Sequence, residues 1–531
     1  MNSKNKYNNH VFSDYNTFQK RKNKITQLLN NKIKFNNKMF LIGFGAIGKV
    51  LLYFILNFIN IDSTNITIID EKDFITDLTK ISKLKFNLYN KTELSQFNYK
   101  TIFKHLSFND IIIDCSVGVN SLDIIKLCNQ VGASYINSAI TNVWTYTNPD
   151  LNNNINTNTN TNNNTNNNKS HKINIDSLYH VHKEFELYNN SNTKNYNAII
   201  CMGCNPGNVS LWSKIGLLKI AQNYKSNNIN INNINNINDV NLLAHKLGVQ
   251  VIHISEKDTQ IVNNPKKINE YCNTWSGTAF SYYDEGLGYS EISLGTHEKD
   301  ITNYKYKNDE YVIFNKGGIY TYAQSWIPFF KKFIGNILCH DESYTIGKAL
   351  SVYDNNSNKL IYKPSVYYVY NPSNETKNSI SELKERDEEY QTNCRLLTSE
   401  IIDGADILGL TFFLENKDIF WIGSTLDIHE TRKLFNNEIN EFINATILQV
   451  VAGYFSGIVH LINLNTKNIK LGIIEPDDLP FHKLIKYQLP FLGDFLFVKH
   501  NNYDITINNG NYDSFLESTD DWQFNNFIIN N

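Results

Sequence analysis

The sequence predicts an α/β protein: an N-terminal parallel sheet wrapped by helices, joined to a second domain of α+β type. Three observations carry this. Short buried-strand patterns alternate with helical patterns between residues 39 and 136, as βαβ units require. A glycine triplet sits between the first strand and the first helix of that series. Beyond Val240 the alternation gives way to mixed strands, turns and helices rich in Tyr.

Residues 1–37 read as a polar, Lys/Asn-rich extension, with helical character around 18–29. Residues 39–42 (MFLI) read as a buried strand and 46–58 as the helix that follows. Residues 66–69 and 111–113 supply the second and third strands, 121–131 a helix, and 134–136 and 198–202 further strands. The stretch 152–168 is almost all Asn and Thr. It buries too little apolar area to offset the cost of ordering its backbone, so a disordered surface insertion is expected. Residues 227–239 form a second low-complexity insertion. Segments 243–260, 311–314 and 366–370 have strand character, and 442–461 is a long apolar helix containing Ala445, Ala452 and Gly453. The expected division is an extension (1–37), a dinucleotide-binding domain with an Asn-rich insertion near 150–170 (38–210), and a substrate-binding domain (211–531). The helix near 442–461 is a candidate to pack back on the first domain.

A chain of 531 residues, 41% of them hydrophobic, has room for two or three domains. A net charge of -2 supplies no basic field, which excludes nucleic-acid binding through a phosphate-tracking patch. Seven cysteines are too few and odd in number for a disulfide framework and fit reduced cytoplasmic thiols. Cys201 and Cys204 form a lone CxxC pair, weak for zinc, and no metal is expected. The start of the chain lacks an apolar signal core, and the longest apolar run, 50–59, is about half a membrane span. A cytoplasmic protein without a membrane partner is therefore expected.

Gly43-Phe44-Gly45-Ala46-Ile47-Gly48 follows an apolar strand and opens a helix. Gly43 allows the tight turn, Gly45 lets a pyrophosphate approach the backbone, and Gly48 lets helix and strand pack closely. The N–H groups of the helix start, at Ala46 and Ile47, face the phosphates. Asp70 lies about twenty residues on, where a ribose-binding acid belongs. A carboxylate there accepts a 2′-hydroxyl and repels a 2′-phosphate, favouring NAD over NADP. This is a Rossmann-type fingerprint. Asp114 ends a strand at the carboxyl edge of the sheet, where ligands bind, and is a candidate catalytic group; Ser116 is grouped with the cofactor.

Farther along, polar motifs interrupt apolar surroundings: 203–210 (GCNPGNVS), 252–260 (IHISEKDTQ), 273–276 (NTWS), 295–298 (GTHE), 340–342 (HDE), 363–368 (KPSVYY), 403–406 (DGAD) and 444–449 (NATILQ). In this ordered series the sequence resembles the bacterial-type homospermidine synthases, a branch of the saccharopine-dehydrogenase-like oxidoreductases, from about residue 38 to about residue 495. The resemblance implies a dimeric enzyme with NAD as a prosthetic group. Putrescine is oxidised to an imine and ammonia leaves. A second diamine (putrescine, with spermidine as a further candidate) attacks, and the same NADH reduces the new imine.

On this reading Trp275 holds an ammonium near the nicotinamide by a cation–π contact, worth roughly 0.5–2 kcal/mol; a core Trp is the plainer alternative. Glu256, Glu285, Glu342 and Asp406 surround the substrate. Glu256 ends an apolar strand, where a buried charge needs a partner. Asp403 and Asp406 are hard to separate, and Asp406 is preferred. One acid takes the proton that makes the attacking amine nucleophilic, and the sequence leaves open which. His340 either positions Glu342 and shuttles protons or is a core histidine. Asn205 either binds an amine or the nicotinamide amide, or simply forms a turn. Two departures stand out: Thr141 stands near the place of a family glutamate, and 317–328 lacks expected arginines. A saccharopine- or carboxyspermidine-dehydrogenase-like reductase is the alternative enzyme. It needs an Arg or Lys for its substrate carboxylate; the only arginines are Arg21, Arg386, Arg395 and Arg432, which favours an amine substrate, though lysines could substitute. A non-catalytic NAD-binding protein is the third reading.

Overall fold

The computed structural model describes residues 17–144, 177–224, 237–276, 286–500 and 522–529. The insertion at 152–168 lies outside them, as do residues 227–236 of the second. The N-terminal extension is more than a polar tail. Helix α1 (Phe18–Asn30) is capped by the Thr17 side chain, and its Arg21 is only 1% exposed. Arg21 Nε donates to Glu430 Oε1 (2.9 Å) and Nη1 to Asp494 Oδ1 (3.2 Å). A buried guanidinium needs such partners, and both come from the far end of the chain.

The first sheet is built from β1 (Met39–Ile42), α2 (Ala46–Phe58), β2 (Ile66–Ile69), β3 (Asn87–Tyr89), β4 (Ile111–Asp114), α3 (Ser121–Val131), β5 (Ser134–Asn137), α4 (Leu178–Ser191) and β6 (Asn197–Ile199). Its strands run parallel in the order β6-β5-β4-β1-β2-β3. β1, β2, β4 and β5 are buried along their whole length, as strands covered on both faces must be. β3 was not anticipated: three residues at an exposed edge give no apolar run to read. Strand order reverses between β1 and β4, so the glycine loop and Asp114–Ser116 emerge side by side at the switch point where α/β sheets bind ligands.

After α5 (Asn208–Asn223) the chain enters an eleven-stranded mixed sheet. Its strands include β7 (Val249–Asp258), β8 (Tyr289–Ser293), β9 (Tyr304–Lys307), β10 (Tyr311–Gly317), β11 (Tyr322–Ile327) and β12 (Lys331–Leu338). Helix α6 (Asp341–Ala349), β13 (Ser365–Asn371), β14 (Ala405–Leu414) and β15 (Ile419–Asp427) follow. β7 lies at the centre, parallel to β13 and antiparallel to β14. The strand expected over 243–260 is shorter. Residues 237–246 form a helix, Gly248 turns the chain with φ +68°, and only then does β7 begin.

The chain then returns to the first domain. Helix α7 (Ala445–Thr466) packs on α2, with Phe455 against Phe54 and Phe58 at ring distances of 5.7 and 5.4 Å. It is long and apolar enough to cross a membrane, but it is buried in the core. β16 (Gly472–Ile474) adds a seventh parallel strand beside β6. β17 (Asp494–Lys499) then pairs with β15, and β18 (Ile528–Ile529) with β11. A boundary at 210/211 therefore splits units that the fold interleaves, because residues 445–474 complete the N-terminal sheet.

Candidate active site

The glycine loop is shaped as its spacing requires. Gly43 has φ +82°, and its N–H donates to Ile69 O (2.9 Å). A Cβ on Gly48 would fall 2.0 Å from Gly43 O, so helix and loop close only on glycine. Gly45 differs: a Cβ there meets nothing within 4 Å. That open space lies at the start of α2, beside Ala46 and Ile47, where a pyrophosphate fits. Asp70 ends β2 beside the loop. Its Oδ2 accepts from Phe44 N (2.6 Å) and its Oδ1 from Lys72 N (2.7 Å).

Asp114 is held as a structural group rather than presented to a ligand. Its Oδ1 accepts from Ser116 N (3.0 Å) and Ser116 Oγ (2.6 Å), and its Oδ2 from Tyr135 OH (2.8 Å). Burial pushes its carboxyl upward against these bonds. The network stiffens the strand edge facing Gly43.

A second set of groups gathers on β7 and β14. Glu256 and Asp258 are two residues apart on one strand and so share a face. Asp406 pairs in register with Asp258 across the β7–β14 ladder. All three are buried. Tyr368 OH donates to Glu256 Oε2 (2.6 Å), and so does Asn205 Nδ2 (2.8 Å). Burial raises Glu256 to about 7 despite these donors. Asp258 accepts from Gln260 N (2.8 Å), Gln260 Nε2 (3.1 Å) and Thr274 Oγ1 (2.7 Å). Neither oxygen of Asp406 makes a well-formed hydrogen bond among the described residues, although Thr446 and Glu256 stand close enough to act on it. Burial and the charges of Glu256 and Asp258 drive its carboxyl well above the ordinary range, with Thr446 pulling the other way. Asp403, by contrast, is exposed. Among the described residues, no Lys or Arg forms a close ion pair with any of the three buried acids, although Lys257 and Lys377 stand near enough to Asp258 to act on its charge.

His340 and Glu342 join this cluster through Tyr368. His340 Nδ1 lies 3.1 Å from Glu342 Oε2, and the His340 and Tyr368 rings are 4.3 Å apart. Trp275 is half-buried against the main core. Its neighbour Thr274 is fixed by Asp258 on one side and by Asn444 Nδ2 on the other (2.6 Å). Glu285 lies outside the described residues. Thr141 is placed at the start of α3, where its carbonyl accepts from Ser121 N (2.9 Å). Sequence reasoning missed Asp258 and Tyr368, although both stand in the motifs it singled out.

Two links join the acids to the first domain. Asn205, two residues after Gly203, reaches Glu256 directly. The other is α7. At its start, Ala445 N donates to Gln260 Oε1 (3.1 Å), while farther along Tyr454 OH donates to Asp114 O (2.6 Å). Thr446 and Tyr454 are eight residues apart, so about 12 Å of helix separates the acid cluster from the strand edge. Close approach there needs Gly453, whose Cβ would lie 2.0 Å from Gly203 O.

Comparisons with known proteins identify the family. The family profile "Saccharopine dehydrogenase NADP binding domain" matches residues 39–174. Homospermidine synthase of Blastochloris viridis is 28% identical over 502 residues, covering 92% of this chain and 96% of that protein. The Mesorhizobium japonicum homospermidine synthase is 26% identical over 500 residues, with the same coverage. The crystal structure of the Legionella pneumophila homospermidine synthase, in complex with NAD, superposes with a TM-score of 0.79 at 31% identity, covering 94% of this chain and 99% of that one. The chain belongs to the homospermidine synthase family.

Proposed function

We propose that this protein is an NAD-dependent homospermidine synthase acting on putrescine. The observation that carries the reading is the trio of buried acids, Glu256, Asp258 and Asp406, whose three carboxyls outnumber the cations near them and form no close ion pair with Lys or Arg among the described residues. Unpaired buried carboxylates are costly. A diammonium substrate supplies the missing charge and the missing donors.

The open space at Gly45, the helix start at Ala46 and Ile47, and Asp70 would hold the pyrophosphate and ribose. NAD, when bound, accepts a hydride in the first half-reaction and returns it in the second. The protein's own groups do the rest. Glu256, oriented by Tyr368 and Asn205, holds one amine. Asp406 is protonated until the cationic substrate arrives and displaces its proton; its environment then makes it the best candidate to take the proton released when that amine becomes an imine. The second diamine's nitrogen forms its C–N bond to the imine carbon and passes its surplus proton to the first nitrogen, which leaves as ammonia; Asp406 would then return its proton to the product nitrogen. Trp275 and the His340–Glu342 pair line the same region and would orient the chain and the distal ammonium. The family's dimeric state carries over in the same proposal.

The reductase alternative needs a cation for a substrate carboxylate. All four arginines are engaged elsewhere: Arg21 with Glu430 and Asp494, Arg386 with Glu382, Arg395 with Glu270 and Glu400, and Arg432 with backbone carbonyls at Thr398 and Ser399. Mass spectrometry after incubation with NAD and putrescine tests the function. Homospermidine and ammonia without NADH accumulation are expected; steady NADH build-up would favour the reductase, and no turnover a binding protein.

A further inference from the structure

Behind the acid cluster lies a second buried group of titratable side chains that the reaction does not use. His182, on α4 of the first domain, is fully buried. Its Nε2 lies 2.9 Å from Asp341 Oδ1, and its Nδ1 lies 3.6 Å from Glu475 Oε1. Asp341 is the first residue of α6, flanked by His340 and Glu342. Glu475 directly follows β16 at the edge of the first sheet.

The same helix is tied down twice more. Tyr344 OH donates to Glu186 Oε1 on α4 (2.7 Å), and Lys348 pairs with Glu186 (2.7 Å) and Glu475 (3.0 Å). Asp341, Tyr344 and Lys348 stand at i, i+3 and i+7, so one face of α6 is bolted to the dinucleotide-binding domain. His340 and Glu342 turn instead toward Tyr368.

We propose that His182 is a positioning residue: held between Asp341 and Glu475, its ring fixes the start of α6 across the domain junction and so sets where Glu342 and His340 stand at the diamine site. The inference rests on the homospermidine synthase reading. Nε2 is within hydrogen-bond distance of Asp341, whereas Nδ1 stands 3.6 Å from Glu475, beyond a hydrogen bond but close enough for a charged ring to be attracted. Burial opposes the charge, but the two carboxylates outweigh it and raise the imidazole to about 9. Glu475 is lowered to about 2 by the His182 bond and Lys348 against its own burial. The titratable groups facing the ring are Asp341 from α6, Glu475 after β16 and Cys201 after β6, with Lys348 from α6 paired to Glu475. The Tyr344 ring packs 5.0 Å away. Cys201 Sγ, a His182 ring nitrogen and an Asp341 oxygen lie within 4.8 Å of one another, a spacing that also suits a metal. The 2.9 Å contact already accounts for Asp341 as a hydrogen-bond acceptor, and three ligands leave a buried coordination sphere incomplete.

The test has two arms on the NAD-loaded protein. Histidine ring NMR should show one imidazole doubly protonated at pH 7.5 and titrating near pH 9, absent in His182→Gln. His182→Gln should raise the KM for putrescine about tenfold or more, while the Kd for NAD stays within about twofold. If that variant does not fold, Glu475→Gln in the NMR arm should lower the titration point of the same ring. A neutral His182 at pH 7, an unchanged KM in His182→Gln, or one equivalent of a transition metal in the purified protein would each overturn the proposal. Wild-type protein that makes no homospermidine would defeat the functional reading, while the NMR arm would still decide the state of His182.

Discussion

Glu256→Gln gives the sharpest energetic prediction, because Gln keeps the shape and the acceptor for Tyr368 and Asn205 while removing the charge. Burial raises Glu256 from 4.5 to about 7. At about 1.4 kcal/mol per pH unit, ionising it inside the ligand-free protein costs roughly 3 kcal/mol. The sign follows from proton counts. Between pH 4.5 and 7 the folded state holds more protons than the unfolded chain, so stability falls as pH rises. The favourable contribution is complete below pH 4.5 and gone above about 7. Glutamine mimics the protonated form. Urea unfolding of the ligand-free proteins should therefore show equal stability at pH 4 and a variant more stable by roughly 3 kcal/mol at pH 8. The same variant should lose about a hundredfold or more in kcat/KM for putrescine, as expected when one partner of a buried charge pair is removed. An offset independent of pH, or a variant less stable at pH 8, would refute the argument that Glu256 waits unpaired for a cation.

Gly45→Ala should leave unfolding unchanged, since φ is -80° and the added Cβ meets nothing, yet raise the Kd for NAD about tenfold or more in a fluorescence titration. Gly48→Ala should instead lower the melting temperature, because its Cβ strikes Gly43 O. Arg21→Ala strands Glu430 and Asp494 and should cost about 3–5 kcal/mol in denaturant unfolding, with the largest effect at neutral pH. Trp275→Ala should cut turnover sharply while NAD binding survives; wild-type turnover would return Trp275 to a packing role.

What the sequence disclosed follows from how local each feature is. The glycine loop and Asp70 are written within one βαβ unit, so spacing suffices to read them. Asp258 was legible by strand alternation from Glu256, but it stands in a motif whose more obvious acid drew the attention. That Asp406 stands with Glu256 is implied by the family resemblance alone; its pairing with Asp258 depends on the register of β14 against β7, strands joined through most of the second domain, which no local pattern discloses. Arg21 looked like one charge in a polar tail because its acceptor Glu430 lies 409 residues away. Asp114 ran the other way. Its position at a strand end suggested chemistry, whereas its partners Ser116 and Tyr135 show a structural acid. His182 carried no signal, since nothing near it in sequence hints at Asp341 or Glu475.

The most direct measurement is the number of protons exchanged when putrescine binds the NADH-loaded protein, in which no oxidation can occur. Calorimetry in buffers of different ionisation enthalpy should show a net proton release at pH 6.5 that exceeds the Glu256→Gln value by close to one proton, a difference that shrinks at pH 8.5. Tight binding with no proton release at pH 6.5 would contradict the claim that buried, uncompensated carboxylates receive the diamine.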